Sequence, residues 1–268
     1  MDTGFAPPSS IPNVWNELIS EAAIRGKDSY QEFLSLPAEE GAETPSAWSV
    51  SALKRCLDFA VAALALLLFW PLLAIAAILV RLESPGPVIF RQERVGLGGA
   101  LFTVFKFRTM SFAAQAGGPS LTKRGDPRVT RFGAFLRKYK LDELPQLINV
   151  LRGEMSFIGP RPKLAHLEVA EMPFRPGITG AATLAFRCEE DLLQDIPDED
   201  LEEYYCRTIK PLKAKIDWDY MRRATLASDI ALLYRTAASC LSTNSEILAG
   251  IDQPAIEALE AIDQSRIA

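Results

Sequence analysis

Residues Phe59 to Val80 read FAVAALALLLFWPLLAIAAILV, 22 positions without one charged or strongly polar side chain, bounded by Lys54, Arg55 and Asp58 before and Arg81 after. As a straight helix this run would reach about 33 Å, close to the thickness of a bilayer's hydrocarbon core. The run starts far from Met1, no basic segment opens the chain, and no small-residue cleavage pattern interrupts it, so it reads as a membrane element rather than a signal peptide. Pro71 sits near its centre, removes a backbone donor and crowds the preceding turn, which predicts a helix–break–helix. Each half would be only about 15 to 18 Å long, too short to span alone. Basic residues flank both ends (Lys54 and Arg55; Arg81, Arg91 and Arg94), and the positive-inside rule then prefers both ends in the cytoplasm. A re-entrant hairpin meets that preference. A kinked helix that crosses the bilayer is the other reading, because neighbouring groups can satisfy the backbone that a proline frees.

Outside this element the chain has the makings of a globular domain. Its 268 residues are 49% hydrophobic and 24% charged, enough apolar content to bury a core and too much for a wholly disordered chain. One histidine, His166, excludes His-rich zinc chemistry. Cys56, Cys188, Cys206 and Cys240 lie too far apart for a CxxC pair and read as reduced thiols. The net charge of −5 hides a split, since Ser84 to Arg187 carries 16 Lys and Arg against 7 Asp and Glu. That stretch suits phosphates or anionic headgroups, and nothing in it points to nucleic acid.

The pattern divides the chain into an N-terminal arm (1–50) with one amphipathic stretch from Val14 to Leu34, a membrane hairpin (51–83), a globular domain (84–241) and a tail (242–268). Val88 to Gln92 and Leu101 to Phe107 are β-branched and aromatic, with Gly96 to Gly99 as the turn of a small β-hairpin. From Thr130, a candidate N-cap, to Arg152 the apolar residues recur at helical spacing, with Pro145 dividing two helical stretches. Arg175 to Gly180 reads as a turn, Glu189 to Glu203 as a solvated acidic face, and Asp217 to Leu241 as one helix for the core or the membrane surface. The fold class is α+β, mainly helical, with interfacial amphipathic helices.

Asp142 and Glu143, preceded by Arg137, Lys138 and Lys140, are the most reactive-looking constellation. Basic neighbours favour ionised carboxylates and attract phosphate. A carboxylate can attack phosphorus to give an acyl phosphate when cations neutralise the non-bridging oxygens, and a second acid can help hold metal. Helix-end electrostatics would explain the same pair without chemistry. Lys106 and Arg108 follow a strand-like run, and Arg161 lies between two prolines in Gly159 to Pro162, a restricted setting for a guanidinium that meets an oxyanion. Each also reads as a surface ion-pair residue.

Together the segments resemble the bacterial sugar transferase family of monotopic phosphoglycosyl transferases. The resemblance rests on Lys54-Arg55 with the membrane element, Ser84-Pro-Gly-Pro-Val-Ile-Phe-Arg-Gln-Glu-Arg-Val-Gly96, Phe105-Lys-Phe-Arg-Thr-Met110, Gly125-Asp-Pro-Arg-Val-Thr-Arg-Phe-Gly133, Leu141-Asp-Glu-Leu-Pro-Gln-Leu-Ile-Asn-Val-Leu-Arg-Gly153, Gly159-Pro-Arg-Pro162 and Pro176-Gly-Ile-Thr-Gly180. It implies a non-spanning membrane helix, a catalytic domain on the cytoplasmic face of the bacterial inner membrane, and a two-step reaction with Mg²⁺. Asp142 would attack the sugar-bearing phosphorus of a nucleotide diphosphate sugar, expected to be a UDP-sugar, and polyprenyl (undecaprenyl) phosphate would then take the phosphosugar. Glu143 would assist with metal and proton handling, so that the metal falls to Asp142 and Glu143. Arg137 would bind the polyprenyl phosphate, and Lys106, Arg108 and Arg161 would hold phosphate oxygens or the nucleotide. Membrane lipids are further partners, a homodimer stays open, and the product would start exopolysaccharide, capsule or other glycan assembly. A compact form is expected, without the multi-span N-terminal region of longer members. Trp70 stands before Pro71 where some relatives have serine, and Ala181 to Arg187 departs from the Trp-Ala-Gln-Val pattern frequent among them. A membrane-docked scaffold without chemistry is the alternative function.

Overall fold

The computed structural model describes residues 44–111, 123, 125–164, 172–187, 189, 193, 196–197 and 200–241. The amphipathic stretch at Val14 to Leu34, His166 and the tail lie outside them. Helix α1, Ala52–Glu83, opens on Ser51, whose hydroxyl accepts from the Lys54 N–H at 3.0 Å. Among the described residues it is the one helix long and apolar enough to cross a membrane. Helical structure runs uninterrupted through Pro71. This corrects the expected break: the proline removes its own hydrogen bond, and the turns on either side carry on.

Helix α1 buries one stripe at helical spacing, Lys54, Asp58, Ala62 and then Ala76 and Val80, while every residue from Leu67 to Leu72 is exposed. Both parts of the stripe pack on the same body. Ala62, Ala65 and Leu66 join Val104, Leu147, Val150 and Met155, and Leu73, Ala76 and Val80 join Phe107 and Leu136.

Each end of α1 is also tied down by polar contacts. Lys54 Nζ lies 2.5 Å from Asp229 Oδ2, Arg55 donates to the carbonyls of Val150 (2.6 Å) and Leu151 (3.2 Å), and Asp58 accepts from Ser156 Oγ (2.7 Å). At the far end Arg108 donates to the carbonyls of Val80, Ser84 and Pro85, and Glu83 accepts from the Phe132 N–H at 2.9 Å.

Strands β1 (Ile89–Val95) and β2 (Leu101–Phe107) form the expected antiparallel hairpin, with Gln92 opposite Val104. Its turn needs Gly98 and Gly99, both at positive φ. Helix α2 (Arg131–Lys138) starts at Thr130, whose hydroxyl accepts from the Gly133 N–H at 3.0 Å. A 3-10 helix, Leu141–Gln146, and α3, Leu147–Arg152, follow. The helical break therefore falls at Tyr139 and Lys140 rather than at Pro145, which sits inside the 3-10 helix.

Strand β3 (Ser156–Ile158) pairs in parallel with β5 (Gly177–Thr179), so the segment expected to be a turn is a strand, and β4 (Lys163–Leu164) extends the hairpin sheet beside β1. Gly159 and Gly177 allow this pairing, because a Cβ on Gly177 would stand 2.2 Å from the Gly159 nitrogen. After α4 (Ala181–Ala185), the acidic run is not a merely solvated face: Leu193, Ile196 and Leu201 are buried with Phe186 and Ile209 in a core of their own.

The chain closes with α5 (Leu201–Tyr204), a π-helical turn at Tyr205–Ile209, α6 (Lys210–Arg223) and α7 (Leu226–Leu241). The single helix expected from Asp217 onward is thus two. Thr225 Oγ1 accepts from the Ser228 N–H (3.1 Å) and Ser228 Oγ from the Thr225 N–H (2.9 Å), a reciprocal cap that restarts the helix.

Candidate active site

The left-handed backbone at Lys140 (φ 56°), the one non-glycine residue at positive φ among the described residues, turns the chain from α2 into the 3-10 helix. That turn drives Asp142 and Glu143 inward, where both are buried. Glu143 Oε1 accepts from Lys106 Nζ at 3.1 Å and from Arg161 Nη2, and Oε2 accepts from Arg161 Nη1 at 3.2 Å. Burial opposes the charge of Glu143, but Arg161 and Lys106 outweigh it and hold the carboxyl well below the usual range. Lys106 itself is pushed down to about 8 by burial, with Glu143 opposing.

Asp142 is the contrasting member of the pair. Its Oδ1 is buried without a hydrogen-bond partner. Burial, and then the charge of Glu143, raise its pKa, while Lys106, Lys140 and Arg137 pull it back. A buried carboxylate oxygen with no hydrogen bond, near Lys106, Lys140 and Arg137, has the character of a nucleophile toward an anionic electrophile. Arg137 donates from Nε to Thr109 Oγ1 at 2.9 Å, and its charge is one of those that pull the Asp142 pKa down.

The structure thus brings five of the six expected site residues together: Asp142, Glu143, Lys106, Arg137 and Arg161. Arg108 is the exception. Strand β2 ends at Phe107, and beyond it the Arg108 guanidinium donates to three backbone carbonyls at and after the end of α1, where it holds that helix to the body.

Sequence reasoning missed two residues. Lys140 was read only as a basic neighbour, and its left-handed backbone has no sequence signal. Asp217 on α6 is buried and accepts the N–H of Ala182 (2.9 Å) and that of Arg161, which ties the Gly159 to Pro162 segment to α4. Burial pushes its carboxyl up to about 6. Its place within a mostly polar helix gave no sign of this.

A family pattern described as bacterial sugar transferase matches residues 49–243. This chain belongs to the bacterial sugar transferase family. It is an enzyme of that class. The family match spans the membrane helix, the hairpin, the Asp142–Glu143 turn and α7.

The chain is 40% identical over 205 residues to a UDP-glucose:undecaprenyl-phosphate glucose-1-phosphate transferase of Caulobacter vibrioides, covering 72% of this chain and 71% of the relative. It is 36% identical over 200 residues to a UDP-N-acetylgalactosamine-undecaprenyl-phosphate N-acetylgalactosaminephosphotransferase of Aeromonas hydrophila, covering 71% of this chain and 44% of the relative. It is 38% identical over 217 residues to a UDP-glucose:undecaprenyl-phosphate glucose-1-phosphate transferase of Escherichia coli, covering 77% of this chain and 44% of the relative. The last two relatives are more than twice as long as the part they share. Glucose and N-acetylgalactosamine both occur in these names, so kinship leaves the sugar of this family member open.

Proposed function

We propose that the enzyme transfers a sugar-1-phosphate from a UDP-sugar to undecaprenyl phosphate through a covalent phosphosugar on Asp142. The observation that carries this reading is the unpartnered, buried Oδ1 of Asp142 beside a Glu143 held by Lys106 and Arg161. In the first step an Asp142 oxygen bonds to the sugar-bearing phosphorus, the bond from that phosphorus to the nucleoside monophosphate breaks, and the monophosphate leaves with the electron pair. In the second step a phosphate oxygen of the polyprenyl phosphate bonds to the same phosphorus, and the Asp142 carboxylate is released. Polyprenyl diphosphate sugar is the product, suited to start exopolysaccharide or other glycan assembly.

Lys106 and Arg161 have donors to share with non-bridging oxygens when substrate arrives, and Arg137, whose charge bears on Asp142, would take the lipid's phosphate. The residues also suit Mg²⁺. Asp142 Oδ1 has no competing bond and Glu143 Oε2 carries only one, so the two could hold an ion that keeps waters and takes its other oxygens from phosphate. No group of three or more His, Cys, Asp or Glu side chains gathers among the described residues, which accords with a metal shared with substrate rather than caged by protein. Such an ion would neutralise phosphate charge.

The membrane reading follows from the anchoring of α1. A helix whose two ends bind one body cannot easily carry them to opposite sides of a bilayer. Along a straight helix Ala62 and Ala76 would stand about 21 Å apart, whereas Val104 and Phe107, which serve their two clusters, are about 10 Å apart on β2. A bend at Pro71 within the continuous helix would reconcile the two spans. We infer a re-entrant element whose exposed turn from Leu67 to Leu72 dips into one leaflet, with the body on the cytoplasmic face.

The test is Asp142→Asn in membranes given radiolabelled UDP-sugar and undecaprenyl phosphate. The variant is expected to make no labelled lipid and release no UMP. Retained turnover would remove Asp142 from the role.

A further inference from the structure

Beside the Asp142–Glu143 pair lies a cavity of about 130 Å³, walled by the 3-10 helix, α3, β3, β5, α4 and α7. Lys140, Glu143 and Arg187 are its charged walls, and Leu144, Leu147, Phe157, Ile178 and Leu184 its large apolar ones. Several hydroxyls in the wall are already spent. Thr236 Oγ1 donates to the Leu232 carbonyl (2.9 Å) and lies 3.1 Å from Thr179 Oγ1, and Ser239 Oγ donates to the Thr236 carbonyl (2.8 Å). By contrast, Arg187 Nη1 is buried without a hydrogen-bond partner.

We propose that this cavity is the subsite for the donor's sugar, and that it selects sugars bearing an N-acyl group over fully hydroxylated hexoses. The inference rests on the reading of Asp142 as the group that attacks the donor's phosphorus. In an in-line displacement the attacking and leaving oxygens lie opposite each other, so the nucleotide departs away from Asp142 and the sugar projects to the side. The cavity adjoins the pair: Glu143 and Lys140 stand in its wall, and Asp142 does not.

Its size fits a substituent rather than a nucleoside or a lipid. Apolar cavities of about 150 Å³ hold a benzene-sized guest. An acyl methyl group gains from walls of Leu147, Ile178 and Leu184, and an acyl carbonyl can accept from Arg187 Nη1. A sugar hydroxyl in the same place would lose water and find few free partners. The segment that lines the cavity from α4, Thr183 to Arg187, lies in the stretch where this chain departs from the Trp-Ala-Gln-Val pattern, so the selectivity need not follow that of relatives named for glucose.

Two measurements test the subsite. The first uses the purified full chain with undecaprenyl phosphate and compares UDP-N-acetylglucosamine and UDP-N-acetylgalactosamine with UDP-glucose and UDP-galactose by UMP release. The N-acetylated pair should show kcat/KM at least about 10-fold higher. Thr183→Phe, which fills the cavity from its half-buried wall, should lower kcat/KM for the N-acetylated donors about 10-fold and leave KM for undecaprenyl phosphate unchanged.

The second measurement needs no turnover: in Asp142→Asn the N-acetylated donors should raise the melting temperature more than the hexose donors do. A hexose preference, no preference, or a Thr183→Phe effect confined to KM for undecaprenyl phosphate would overturn the proposal. Because the melting comparison reads binding alone, it separates failure of the subsite from failure of the nucleophile.

Discussion

Lys54 is the first buried residue of the membrane helix, and its ammonium meets Asp229 of α7 at 2.5 Å with both side chains only 8% exposed. Asp229 also accepts from Trp48 Nε1 (2.9 Å) and from the Tyr220 hydroxyl (2.6 Å). Lys54→Met would strip the cation and leave a buried carboxylate with two neutral donors. Breaking a buried pair from one side costs roughly 3 to 5 kcal/mol, and the two remaining hydrogen bonds put this variant near the lower figure, about 3 kcal/mol. Asp229→Asn takes the countercharge from the ammonium and leaves it an amide oxygen and the Trp48 ring at 5.9 Å, and should cost about 3 to 5 kcal/mol.

The double variant Lys54→Met/Asp229→Asn leaves no buried charge behind and should lie within about 1 to 2 kcal/mol of the parent, a coupling of several kcal/mol. Denaturant unfolding in one detergent, followed by tryptophan fluorescence, measures all four corners of the cycle. Single variants that each cost less than about 1 kcal/mol, or costs that simply add, would refute the reasoning that this pair locks the start of α1 to the body.

Three further outcomes follow from particular contacts. Gly177→Ala would set a Cβ against backbone on two sides, with the Gly159 nitrogen at 2.2 Å and the Thr179 oxygen at 2.4 Å. It should part β3 from β5, displace Arg161 and lower turnover at least about 10-fold while circular dichroism keeps its helical signal; unchanged turnover would contradict the close approach. Thr130→Ala removes the N-cap of α2 and should cost about 1 kcal/mol in the same unfolding assay. For Asp217 the folded carboxyl is raised to about 6 by burial, so the native state holds the proton more tightly than the unfolded chain. The stability it contributes is complete below about 4 and is lost as pH rises through about 6, by at most about 3 kcal/mol. Between pH 4.5 and 7.5 the stability of Asp217→Asn relative to the parent should improve by about 2 kcal/mol, and a pH-independent difference would refute the buried-acid account.

The membrane element, the hairpin and the start of α2 were legible because each has a local cause: an uncharged run, β-branched and aromatic residues around glycines, and a cap at Thr130, whereas the turn that buries Asp142 and Glu143 depends on the left-handed Lys140, which no local pattern signals. The continuity of α1 was not legible either, since a proline shows which hydrogen bond is lost but not whether flanking turns survive. Arg108 follows the same strand-like run as Lys106, and only the end of β2 at Phe107 sends it to the carbonyls of α1. The acidic run hid its core because Leu193, Ile196 and Leu201 are sparse among charges and meet Phe186 and Ile209 only in three dimensions. Asp217 acquires its role from a contact with Arg161 and Ala182, more than thirty residues away in the chain, which no local pattern encodes.

The most direct measurement is intact-protein mass spectrometry after acid quenching, with UDP-sugar present and undecaprenyl phosphate absent. One phosphosugar per chain, mapped by peptide fragmentation to Asp142 and discharged when the lipid is added, is the predicted result. An unmodified chain under conditions where added lipid does yield product, or a phosphosugar mapped to another residue, would contradict the account.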